Sequence, residues 1–177
     1  MPRTLYFFPF IDKTIDSGFI GVISAKTALH GVAPTLARKK FAYLWKMGNT
    51  SNTFAHYIGN TDRIYVMGHC SPGDDYLSTE VITGNHTCST NELANYFCRH
   101  GLLKTSAVHI RIHACNSGSP LGNTPSFAQE FKSELTVLGY NNVTVRGYLS
   151  GMGYYFICRE GDSIFTNASA NANIAEF

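Results

Sequence analysis

Two segments of this chain carry the residue types of thiolate chemistry at matched places. Arg63-Ile-Tyr-Val-Met-Gly-His-Cys70 runs an apolar stretch into His69 and breaks at Ser71, Pro72 and Gly73. Val108-His-Ile-Arg-Ile-His-Ala-Cys115 runs into Cys115 and breaks at Asn116, Ser117 and Gly118. A thiolate attacks a carbonyl carbon, and an imidazole beside it can take up the thiol proton and later return it to a leaving amine. His69 and Cys115 suit those roles. The small, turn-forming residues after Cys115 suit a loop whose backbone N–H groups face a developing oxyanion. Asn116 lies in that loop, while Gly68, Cys70 and Gly73 shape the one after His69. The plain alternative for Cys115 is a buried structural thiol.

These side chains must be positioned by strands. Ile64 to Met67 is a short apolar run bounded by turn signals, the pattern of a buried strand. Ala107 to Ala114 is a second, with His109, Arg111, His113 and Cys115 on one face and Ile110, Ile112 and Ala114 on the other. Leu5 to Phe10 reads as a first strand, Val143 to Leu149 and Tyr154 to Cys158 as later ones. A helix is expected from about Lys26 to Met47, bent at Gly31 and Pro34, with Ala37, Phe41, Leu44 and Trp45 facing the core. Ser89 or Thr90 caps a helix from Asn91 to His100, ended by Gly101. Ser126 caps another from Phe127 to Leu138, ended by Gly139. Val81 and Ile82 suggest a hairpin arm before the turn at Thr83-Gly84-Asn85. Residues 162–177 read as a loosely held tail. Strand–helix alternation argues for one α/β domain over 1–177 with a largely parallel sheet, where sites gather at the carboxyl ends of strands.

Composition narrows the function classes. Hydrophobic residues make up 44% of the 177 and charged residues 15%, enough apolar material for a packed core. A net charge of +2, with no basic run beyond Arg38-Lys39-Lys40, gives no footing for nucleic-acid binding. The five cysteines form no CxxC pair, which argues against a zinc ribbon and points to free thiols in a reducing compartment. A metal quartet of His69, Cys70, His113 and Cys115 is disfavoured, because neighbours on a strand point to opposite faces. Asn116-Ser117-Gly118 is not a G-x-S-x-G elbow, and no G-x-G-x-x-G or P-loop is present. No run approaches membrane-spanning length, and the N-terminus has no signal-peptide pattern.

His69 and the His113-Ala-Cys-Asn-Ser-Gly118 segment together resemble the caspase-like, clan CD cysteine peptidases, including small bacterial and toxin-associated members. Their signature places a catalytic His about 50 residues before an Ala-Cys pair; here the separation is 115 − 69 = 46 residues. The intervening helix, the Ser126-Phe-Ala-Gln-Glu-Phe helix and the Val143-Thr-Val-Arg-Gly strand extend the likeness over roughly 63–151. Cys70 stands where the pattern usually has Gly, and His113 where the caspase signature has Gln. The resemblance implies a three-layer sandwich, a mostly parallel central sheet flanked by helices. It implies a peptide or protein substrate, His69 as general acid/base, Cys115 as nucleophile, and no cofactor or metal. Asp74 and Asp75 are candidates to receive a basic substrate residue, Arg146 an acidic one or a backbone carbonyl. Two other readings stay open: a catalytically silent module of the same fold used for binding, and a thiol amidase or deamidase. The expected location is the cytoplasm, or another cell reached by a signal-peptide-independent route, as for a bacterial effector or toxin.

Overall fold

A computed structural model describes residues 4–10, 43–46, 54, 62–78, 87–149 and 173–177. Among them, strands β1 (Thr4–Phe8), β2 (Tyr43–Lys46), β3 (Arg63–Met67), β6 (His109–His113), β7 (Thr144–Tyr148) and β8 (Ile174–Glu176) form one sheet in the order β2-β1-β3-β6-β7-β8. The pairs from β2 to β7 are parallel, and β8 joins β7 antiparallel. β4 (Tyr76–Ser78) and β5 (Thr87–Ser89) make a separate two-stranded antiparallel ladder. Helix α1 (Thr90–Arg99) connects β5 to β6, and α2 (Phe127–Val137) connects β6 to β7.

Both helices start where the sequence says they should. Ser89 accepts from the Glu92 N–H while Glu92 reaches back to the Ser89 N–H, a full capping box. Ser126 accepts from the Gln129 N–H at the start of α2. Gly101 and Gly139 follow the helix ends at φ 78° and 92°, the left-handed region open to glycine.

The helices pack side by side on one face of the sheet. Leu93, Ala94 and Phe97 of α1 and Phe127, Ala128, Phe131 and Leu135 of α2 are buried with Ile64, Val66, Ile110, Ile112 and Val145. Each of the Leu, Ile, Val and Phe side chains contributes about 1.5–3 kcal/mol by leaving water. Aromatic rings tie the layers together: Phe97 meets Phe54 at 4.7 Å, Phe7 at 5.3 Å and Phe131 at 5.9 Å between centroids.

Two expectations are corrected. Tyr43–Lys46, read as the end of a helix, is a strand parallel to β1. Apolar spacing over four residues fits either state, and pairing with β1 decides it. The tail reading fails at Ile174–Glu176, which pairs with Arg146–Tyr148 as the sheet's edge. The expected helix before residue 43, the Val81-Ile82 arm and the Tyr154–Cys158 strand lie outside the described residues.

Candidate active site

β3 and β6 are aligned with Met67 opposite His113. The ladder ends at that pair, and His69 and Cys115 each follow its last residue by two positions, Cys115 in the turn that succeeds β6. The strand ends stay in step, because Gly68 N–H donates to the His113 carbonyl at 3.4 Å. The His69 backbone is held from its other side: its N–H and carbonyl both pair with Ser78 of β4, each at 2.9 Å. Gly68 fits beneath this bridge because a Cβ there would lie 3.0 Å from Leu77 Cβ.

Cys70 packs against the hydrophobic core, and its thiol donates to the Ser71 carbonyl at 3.3 Å. Burial pushes that thiol up to about 12, and the charges of Asp74 and Cys115 add to the shift. Cys70 is therefore the protonated neighbour of Cys115 at neutral pH, and Cys115 lies near enough to be felt there. Cys70, Cys88, Cys98 and Cys115 are all free thiols.

Two loops meet beyond the strand ends. Gly73 N–H donates to the Ser119 carbonyl at 3.0 Å, joining the loop after His69 to the loop after Cys115. Gly73 has φ 75°, and a Cβ on it would come within 2.6 Å of Leu121 Cβ, so glycine is required. In the second loop, Asn116 holds φ 54°, a left-handed conformation that asparagine tolerates better than most residues. Gly118 and Gly147 then pass so closely that a Cβ on Gly118 would lie 2.6 Å from the Gly147 carbonyl oxygen.

The remaining candidates fall in different places. Asp74 turns back on its own loop, its carboxylate accepting from the Ser71 N–H at 2.8 Å. Asp75 is exposed and its charge, after burial, helps to raise the carboxyl of Glu130 on α2, so it faces that helix. Arg146 is opposite Arg111, well below the carboxyl edge, and is paired with Glu176. Of the loop N–H groups, those of His69, Ser71, Gly73 and Asp74 are engaged. Pro72 has none, and among the described residues nothing takes the N–H of Cys70.

The face of β6 that carries His109, Arg111 and His113 is a polar row, as its sequence suggested. His109 is exposed, Arg111 lies over the Tyr65 ring at 5.5 Å, and His113 is buried. The rings of Tyr65 and Tyr148 flank His113 edge-on at 5.7 and 5.6 Å, with the Tyr148 hydroxyl 3.4 Å from Nδ1. That aromatic enclosure came from register, not from any local motif. The Ser117 hydroxyl, a weak nucleophile candidate, is fully buried.

Among the described residues no group of three His, Cys, Asp or Glu side chains is arranged to hold a metal ion. No described helix is long and apolar enough to cross a membrane. A cavity of about 490 Å³ runs along α1 between Phe10, Cys88, Asn95, Tyr96 and His100, away from His69 and Cys115. No protein-family model matches this chain, and no curated protein matches it.

Proposed function

We propose that this protein is a cysteine endopeptidase of the caspase-like kind, with Cys115 as nucleophile and His69 as general acid/base. The observation that supports this reading is the β3–β6 register, which brings the two strand ends level. Further support comes from the two loops, which meet through Gly73 and Ser119 at the carboxyl edge, where α/β sheets keep their sites. The mostly parallel sheet with both described helices on one face is compatible with a three-layer sandwich.

In the proposed reaction His69 takes the thiol proton and the Cys115 thiolate attacks the scissile carbonyl carbon. The N–H groups of Cys70 and Cys115 receive the oxyanion. As the intermediate collapses, the C–N bond breaks and the His69 imidazolium protonates the leaving amine. Water, deprotonated by His69, then hydrolyses the thioester and restores the thiol. This route uses no cofactor. Asp74 is committed to its loop, which leaves Asp75 as the carboxylate to meet a basic substrate side chain. The free thiols favour a reducing compartment, the cytoplasm of the producing cell or of a cell to which the protein is delivered.

Limiting iodoacetamide, mapped by mass spectrometry across pH, tests the pair. Cys115 is expected to label before the other thiols and to lose that lead in His69→Ala. Turnover of a peptide library, abolished in Cys115→Ser, completes the reading. A fast Cys115 that cleaves no peptide but releases ammonia from side-chain amides would replace the peptidase with an amidase. A Cys115 no faster than its neighbours would favour a silent binding module.

A further inference from the structure

Every hydrogen-bonding group of Ser117 is committed, and each bond reaches a different part of the site's frame. Its hydroxyl donates to the Ile112 carbonyl of β6 at 3.0 Å and accepts from the Tyr148 N–H of β7 at 3.1 Å. Its carbonyl accepts from the Ala128 N–H in the first turn of α2 at 2.8 Å, and its own N–H donates to the Ala114 carbonyl at 3.4 Å. The next residue continues the clasp, with Gly118 N–H donating to the Tyr148 carbonyl at 2.8 Å. At this level β6 and β7 are joined through a side chain. The last ladder pair is Ile112 with Gly147, and the Ser117 hydroxyl stands between the Ile112 carbonyl and the next N–H of β7.

From this geometry we infer that Ser117 is a positioning residue for Cys115; the inference rests on the reading of Cys115 as nucleophile. Cys115 and Asn116 have no regular element of their own to hold them. They span the gap between Ala114, at the end of β6, and Ser117, which is fixed to β6, β7 and α2 at once. With both ends fixed, Asn116 is held at φ 54°, and in the proposed site this keeps the Cys115 sulfur in place for His69. The hydroxyl is the part of this anchor that crosses between the two strands. Alanine retains both backbone bonds of Ser117 but leaves the Ile112 carbonyl and the Tyr148 N–H without that bridge. β6 and β7 can then slide or part at the level of the nucleophile. Small displacements there are costly, because the thiolate must lie in line with a carbonyl carbon.

The test compares the full-length protein with Ser117→Ala, Ser117→Thr and Tyr140→Phe. Tyr140 supplies a control, since its buried hydroxyl donates to the Leu102 carbonyl at 2.9 Å and so models the loss of one buried hydrogen bond away from Cys115. Thermal midpoint, the pH profile of Cys115 alkylation, and kcat and KM on a peptide are measured for each. Ser117→Ala is expected to slow Cys115 alkylation at neutral pH and to lower kcat by about tenfold or more, with KM little changed. Ser117→Thr, which keeps the hydroxyl, is expected to recover much of the rate. Tyr140→Phe is expected to lose comparable thermal stability and no reactivity. A folded Ser117→Ala with the alkylation profile of the parent overturns the inference, as does an equal loss of reactivity in Tyr140→Phe. If Ser117→Ala does not fold, Ser117→Thr decides: a folded Thr variant as slow as a His69→Ala protein would show that the hydroxyl alone does not position the thiol. A parent Cys115 that labels no faster than the other thiols defeats the underlying peptidase reading, an outcome separate from these.

Discussion

Gly73 donates its backbone N–H to the carbonyl of Ser119 at 3.0 Å. These residues lie in different loops, four after His69 and four after Cys115, so this bond joins the two halves of the proposed site beyond the end of the β3–β6 ladder. Its geometry depends on the left-handed backbone at Gly73 and on the lack of a side chain against Leu121.

Gly73→Ala should therefore damage the site more than the fold. A non-glycine residue held at positive φ costs about 1–3 kcal/mol, and the overlap with Leu121 adds to that unless the loops part. The expected result is a modest fall in thermal midpoint with a larger loss of Cys115 alkylation rate. Equal rates in the variant and the parent would show that the clip does not govern the site.

The thiols of Cys70 and Cys88 predict alkaline sensitivity. Burial raises each to about 12, aided by Asp74 and Cys115 at Cys70 and by Glu92 at Cys88. The unfolded chain gives up these protons first, near the ordinary value of 9.0. The stability from keeping both thiols neutral is thus fully present below pH 9 and is lost as pH rises toward 12. Thermal midpoints measured from pH 7 to 11 should fall less steeply in Cys88→Ala than in the parent. Identical slopes would count against the buried-thiol account.

Arg146 and Glu176 form an exposed pair between β7 and the edge strand β8, their side chains 38% and 55% exposed. Exposed pairs contribute about 0–1 kcal/mol and are screened by salt. Glu176→Gln should move the thermal midpoint little, and still less in high salt. Arg146→Ala should leave peptide kcat/KM unchanged, because the pair lies well below the level of Cys115. A large rise in KM would return Arg146 to the substrate site.

Much of the frame was legible because its causes are local. Serine caps at Ser89 and Ser126, glycine stops at Gly101 and Gly139, and the apolar run ending at Met67 each act over a few residues. The period-two pattern of His109 to His113 was legible for the same reason; Cys115, expected to continue it, lies in the turn beyond. Alternation along a strand is a property of the backbone, whatever lies next to it.

Residue order alone set the chemistry available: a histidine after an apolar run and a cysteine after an alternating one, each followed by a turn. Which groups stand together was set by long-range pairing and packing. Tyr43–Lys46 became a strand because β1 offered it a ladder, and Ile174–Glu176 because β7 had an open edge. Cys70 was turned against the hydrophobic core, and Asp74 was drawn into its own loop by the Ser71 N–H. His113 gained its aromatic walls from residues 48 positions before it and 35 after it (113 − 65 and 148 − 113). The Ser117 hydroxyl likewise found its acceptor and donor on two different strands. Pairing and burial depend on contacts between residues far apart in the chain, and no local pattern encodes such a contact.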